Sequence, residues 1–191
     1  MKYSKLAMLN FMALCCVLGI FTKKLINPFA NVITEALHIP GGISTGFSIM
    51  FLVIAAEVVK GQNSDVRGSV LQKCGTLMGA VQGFLSLALG RVGSMGLFMP
   101  VGFIVPGMAI DLIYWLQKYI KLSQIERMIF ANALAAIMAS VTANVIVFHL
   151  SGPVLGLYLC ISGISGTIFG FLGSTIVTRL YPVFQNRKNE H

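Results

Sequence analysis

Apolar positions run along this chain in long, nearly unbroken stretches separated by short polar breaks. A helix needs about 20 mostly apolar residues to cross the hydrocarbon core of a bilayer. The stretches at 5–22, 43–60, 68–90, 96–117, 125–149 and 153–178 meet that requirement. Between the first two, Leu25 to Leu37 carries Asn27, Pro28, Asn31 and Glu35, which is too polar to span. The pattern predicts a short helix or cap there, lying at one surface. It ends in His38-Ile39-Pro40-Gly41-Gly42, where proline and paired glycines predict a turn. The expectation is an all-α polytopic membrane protein: one domain over 1–191, about six transmembrane helices, and a capping first outer loop at about 23–42.

Composition agrees. The chain is 56% hydrophobic and 10% charged, with a mean hydropathy of +0.83. Soluble domains carry roughly 25% charged residues, so there is too little polar surface here to clothe a water-soluble globule. The net charge of +8 does not point to nucleic acid, because the basic residues stand singly at the ends of apolar stretches. With the N-terminus in the cytoplasm, the inside holds Lys2, Lys5, Lys60, Arg67, Lys73, Lys118, Lys121, Arg127, Arg179, Arg187 and Lys188. Lys23, Lys24 and Arg91 remain outside. That bias predicts both termini cytoplasmic. Lys2 and Lys5 before the apolar run Leu6 to Phe21 resemble a signal peptide. No small-x-small cleavage site follows, and Leu14 stands before Cys15 where a lipoprotein signal wants a small residue, so the run reads as a retained first helix.

Cys15, Cys16, Cys74 and Cys160 all fall in apolar stretches at spacings that match no zinc or redox motif. They read as small apolar packing residues. Small residues also recur every fourth position: Gly75, Gly79 and Gly83; Ala131, Ala135, Ala139 and Ala143; Ser162, Gly166, Gly170 and Ser174. In lipid such stripes let helix backbones approach closely. Packing within the bundle is the first reading, and docking of a separate membrane subunit the second.

Asp111 is read as the one acid well inside a span, and an intramembrane carboxylate is a functional candidate by default. Pro106 predicts a kink just before it. Asn132, early on the fifth helix, is a candidate partner at similar depth, giving the pair a structural or coupling role. Glu57, one turn from Lys60, reads as an interfacial pair with it. The outer half offers another polar set: Gln82 and Ser86 on one face of the third helix, Thr142 and Asn144 late on the fifth, and Tyr158 and Ser162 early on the sixth. With Asn27, Asn31 and His38 of the cap and Phe103 nearby, these are candidates to line an outward-facing pocket for a flat polar ligand. For each alone, an interhelical hydrogen bond is the plainer alternative.

Catalysis has less behind it. No HExxH, P-loop or nucleotide fingerprint occurs. Gly163-Ile164-Ser165-Gly166 matches the GxSG pattern around the nucleophile of rhomboid-type intramembrane proteases. A serine nucleophile needs a base within reach; no histidine follows within a span, and His149 precedes it at the outer edge.

The layout resembles the substrate-binding S components of energy-coupling-factor (ECF) vitamin transporters, nearest to the hydroxymethylpyrimidine/thiamine type. The resemblance spans nearly the whole chain. It is carried by six predicted helices, the first outer loop with Asn27-Pro28 and Ile39-Pro40-Gly41-Gly42, Gly46 on the second helix, the glycine-rich third, and Gly107 to Asp111 on the fourth. One departure concerns docking. Many S components carry AxxxA on the first helix, whereas Ala7 is followed here by Phe11 and Ala13 by Val17. Only Cys15 and Gly19 keep a small pair, and Gly166, Gly170 and Ser174 are the alternative contact. The resemblance implies a non-enzymatic subunit without a cofactor in a bacterial or archaeal cytoplasmic membrane. It would capture a small water-soluble vitamin or precursor, then work with a transmembrane coupling subunit and two cytoplasmic ATPases. A stand-alone channel or carrier is the alternative, and an intramembrane serine protease comes third.

Overall fold

The structure is a computed structural model that describes residues 5–36, 43–61, 70–90, 93–150 and 152–186. Regular structure among these residues is helical: α1 (Lys5–Ala36), α2 (Ile43–Ala56), α3 (Cys74–Ala88), α4 (Met99–Leu116), α5 (Gln124–Ala143) and α6 (Gly152–Asn186). A π-helical turn, Glu57–Gly61, continues α2, and another, Asn144–Phe148, continues α5. The protein is an all-α polytopic membrane protein. Met95–Leu116, Gln124–Phe148 and Gly152–Leu180 are long and apolar enough to cross a bilayer, and Met8–Thr22 is a shorter apolar helix.

α2 is the hub, touching each of the other five helices. From Ser48 to Val59 every residue except Phe51 is buried. An unbroken Ile-Met-Phe-Leu-Val-Ile-Ala-Ala run has no polar face to offer water, and a helix apolar all round belongs inside. Around it α1, α3, α4, α5 and α6 follow one another, each packed on the next, while α1 and α6 both pack on α2.

Glycines set the spacing of the outer pairs. A Cβ on Gly75 would stand 2.6 Å from the carbonyl oxygen of Gly107, and one on Gly83 would stand 2.6 Å from Cα of Pro100. On the other side, a Cβ on Gly166 would stand 2.6 Å from Cα of Ala133, and one on Gly170 2.8 Å from Cα of Ile129. Partner numbers fall as glycine numbers rise, so α3 runs antiparallel to α4 and α5 to α6. Consecutive helices alternate in direction, and α1 begins at the end of the bundle where α6 finishes.

One expectation changes. Segment 25–36 is no separate surface cap: α1 continues through it without a break, and Pro28 sits inside the helix. At about 1.5 Å per residue a helix of 32 residues outreaches the roughly 30 Å hydrocarbon core. Leu25, Phe29 and Val32 are exposed on this extension. Residues 37–42, with the predicted turn, lie outside the described residues. The fifth helix also has a defined start that the apolar pattern alone does not mark. Ser123 Oγ accepts from the Glu126 N–H at 3.3 Å, and Glu126 Oε2 accepts from the Ser123 N–H at 2.8 Å, forming a capping box.

The periphery is apolar. Leu6, Leu14 and Phe21 on α1 and Ile164, Ile168 and Phe171 on α6 are exposed, as a lipid-facing surface requires. At the end of α4, Trp115 meets Tyr119, just beyond the helix, edge-to-face at 5.2 Å beside exposed Lys118 and Lys121. That mixture of aromatic and basic groups marks a membrane–water interface.

Candidate functional site

Buried polar groups gather in two places, and their chemistry differs. At the end where α2 and α4 finish and α3 and α5 begin, the groups are charged. Arg127, in the first turn of α5, clasps Glu57 with two nitrogens: Nε donates to Oε2 at 2.9 Å and Nη2 to Oε1. The Tyr114 hydroxyl donates to Glu57 Oε2 at 2.8 Å. The Glu57 and Arg127 side chains are only 1% and 6% exposed, so the pair is effectively removed from solvent.

Beside it, Lys60 donates to Asp111 Oδ1. Asp111 also accepts from the Gly75 N–H at 2.9 Å, the Thr76 N–H at 2.8 Å and the Thr76 hydroxyl at 2.6 Å. A carboxylate from α4 therefore caps the start of α3, where unsatisfied N–H groups and the helix dipole favour negative charge. Gly75 makes this possible, because a Cβ there would sit 2.9 Å from Asp111 Oδ1. The two ion pairs meet at Tyr114, whose ring centroid lies 5.4 Å from Lys60 Nζ and 5.5 Å from the Arg127 guanidinium carbon. Attraction of both cations to one ring joins the pairs into a single cluster across four helices.

This corrects three assignments. Asp111 is not paired with Asn132. Asn132 Nδ2 donates instead to the carbonyls of Gly46 at 3.1 Å and Gly166 at 2.8 Å, tying α5 to α2 and α6. Glu57 is not an interfacial partner of Lys60. It is buried against Arg127, and the wider π-helical turn beneath it brings Lys60 to α4. Asp111 is also not the one acid inside the bundle, since Glu57 is less exposed than it. The sequence held a signal for this pair: an acid near the end of one predicted span and a base near the start of another that returns from the same side.

The far end holds neutral groups, and they do not form one pocket lining. Tyr158 and Ser162 meet Ser140 between α5 and α6. The two serine hydroxyls lie 2.6 Å apart, Ser162 Oγ donates to the Tyr158 carbonyl at 2.9 Å, and Ser140 interacts with the Tyr158 side chain. Phe148 packs edge-to-face on Tyr158 at 6.0 Å. Thr142 is buried nearby on α5 and donates to its own helix at Met138.

Gln82 belongs elsewhere. Its Nε2 donates to the Cys16 carbonyl at 3.0 Å, in a buried contact of α3 with α1. Ser86, one turn further on, is buried as well. Asn144 closes the turn after α5: Leu150 N–H donates to its Oδ1 at 2.7 Å, and its Nδ2 donates to the Leu150 carbonyl at 3.3 Å. Phe103 is half-buried on α4, its backbone against Gly79. Asn27 and Asn31 lie on the extension of α1, and His38 lies outside the described residues.

The proposed docking residues are all turned inward. Cys15 is buried, and Gly19 faces Gln82. Gly166 and Gly170 pack on α5, and Ser174 is 2% exposed. Their stripes are internal packing and present no free face. Ser165 of the GxSG sequence is buried with its hydroxyl against Gly46. No known family model, curated protein or solved structure matches the chain.

Proposed function

We propose that the chain is a membrane subunit that binds a small water-soluble nutrient, as S components of ECF importers do. A vitamin of the thiamine or hydroxymethylpyrimidine kind is the first ligand to try. What carries the reading is the asymmetry between the two ends. One end is held by charged bonds across α2, α3, α4 and α5. The other has only neutral hydrogen bonds: Ser140 meets Ser162 between α5 and α6, Ser162 donates to the Tyr158 carbonyl, and Asn144 closes its own turn on Leu150. Hydrogen bonds to charged groups contribute about 1.5–3 kcal/mol and neutral ones about 0.5–1.5. The neutral end opens first, and a bundle that opens at one end binds without conducting.

The positive-inside rule puts the charged end in the cytoplasm, because Lys60, Lys118, Lys121, Arg127 and Arg179 lie at that end. Ligand then enters from outside, and release inward needs outside work. A transmembrane coupling subunit and two ATPases supply that work in the S-component scheme. Ser140, Tyr158 and Ser162 are the groups best placed to read a ligand between α5 and α6, with Phe148 to stack on a flat ring.

Mass spectrometry of compounds that co-purify with the protein in detergent, followed by titration of the purified chain, tests this. Tyr158→Ala and Ser162→Ala should weaken binding roughly tenfold to hundredfold, the equivalent of about 1–3 kcal/mol per lost partner. Ile168→Ala, on the lipid face, should leave it unchanged. Uptake into vesicles should require co-expressed coupling and ATPase subunits. Uptake by the chain alone would make it a carrier or channel, and unchanged binding in both site variants would move the site.

A further inference from the structure

We infer that the far stretch of α1 is a membrane-surface anchor. Past Thr22 the helix leans on the bilayer and seats Leu25, Phe29 and Val32 in the boundary between headgroups and acyl chains. This goes beyond the uptake reading and does not depend on it. α1 has two faces. Met8, Met12, Cys15, Cys16 and Ile20 are buried, and the helix packs chiefly on α2 and α3. Ile20 is the last buried residue among the described side chains of α1. The helix nevertheless runs on to Ala36, about four further turns.

The opposite face is apolar and exposed. Leu14, Leu18, Phe21, Leu25, Phe29 and Val32 follow one another at steps of four, three, four, four and three. About five full turns of 3.6 residues separate Leu14 from Val32, so the two lie on one line along the helix. The lower members belong to the lipid-facing periphery, and that surface continues onto the extension without a break. From Leu6 to Val32 the face is about 39 Å long, against a hydrocarbon core of roughly 30 Å. Its far end therefore reaches the headgroup layer, and side chains of this size are costly to leave in water.

The sequence supplies the other half of an interfacial helix. Lys24, Asn27, Asn31 and Glu35 recur at steps of three and four between the apolar positions, the pattern of a helix with one polar side. Lys23 and Lys24 open the extension, and helices that lie in the headgroup layer are rich in lysine. Pro28 stands inside the helix. Its ring nitrogen cannot close the backbone bond to the residue four before it, which gives the extension a place to bend. Lipid suits the stripe better than a second helix does. Every member is large, and helices in lipid approach one another through small residues.

Trp115 is the single tryptophan of the chain and stands at the opposite end of the bundle, at the end of α4. Trp115→Phe therefore clears the background for fluorescence. Phe29→Trp is added to it, and the purified protein is reconstituted in phosphatidylcholine vesicles. Acyl chains brominated near the headgroup should quench most of the emission, and bromine near the chain ends should quench less. Iodide on both sides of the membrane should remove little. Leu14→Trp, lower on the same line, should also be quenched by brominated lipid. Val32→Trp reads the same face if Phe29→Trp does not accumulate. Strong quenching by iodide, with none by brominated lipid, would put the extension in water and overturn the proposal. Quenching by neither would mean that protein covers the face, whether a second copy or another part of the chain, and would overturn it too. So would failure of both variants to fold, since a lipid-covered face tolerates a larger ring.

Discussion

At the scale of single residues, Glu57 and Arg127 set the terms for the charged end. Taking two charges out of water is costly, and mutual attraction offsets that cost only when the geometry is good. The two-point clasp supplies the geometry, and Tyr114 supplies a further donor. Removing one partner is therefore far worse than removing both. Arg127→Met or Glu57→Met should each cost about 3–5 kcal/mol by taking from a buried charge its ionic partner. The double variant Glu57→Met/Arg127→Met should lose less than either, chiefly the tyrosine's acceptor. Thermal unfolding of the four proteins in one detergent checks this: the double variant should melt above both single ones, and simple addition of the two losses would contradict the pairing. The hydropathy pattern alone placed Asp111 inside the bundle but gave it the wrong partner. Which side chains meet across helices depends on helix rotation and crossing height, and linear spacing carries neither.

At the scale of helices, more was legible. The predicted spans 43–60 and 125–149 match α2 with its π-helical turn and α5 with its extension to within about two residues. The glycine stripes were visible too, but sequence could not say what each one faces. The structure shows Gly166 against α5, whereas Gly156, also on α6, has nothing within 4 Å. The same substitution should then act in opposite directions on one helix. Gly156→Ala should be neutral or stabilising by up to about 1 kcal/mol, because alanine is the better helix former. Gly166→Ala must push α6 off α5 and stretch the Asn132 bond to its carbonyl, for a loss of about 1–3 kcal/mol. Melting temperatures in detergent decide, and equal shifts would mean that the α5–α6 contact is looser than drawn. The α1 extension was misread for a physical reason. Asn27, Asn31 and Glu35 break the apolar run, yet a helix end that projects from the bilayer needs no apolar face all round.

At the scale of the whole molecule, alternating helix directions and the distribution of basic residues point the same way. α1 begins where α2 ends, where α3 begins and where α6 finishes, so both ends of the described chain lie at one end of the bundle, as an even number of crossings would place them. The side is set by charge, because positively charged segments resist translocation. Lys60, Lys73, Lys118, Lys121, Arg127 and Arg179 all lie at the end shared by Glu57 and Asp111. At the opposite end the sequence offers Lys23, Lys24 and Arg91. A reporter active only in the cytoplasm, fused after His191, should be active, and the same reporter placed in the turn near Arg91 should be silent. A reporter active only outside should give the reverse. Identical signals from the two positions would require an even number of crossings between them, in place of the three that α4, α5 and α6 would make. The charged cluster would then face a different compartment, and both its cytoplasmic placement and the outward-facing site between α5 and α6 would fall with the topology.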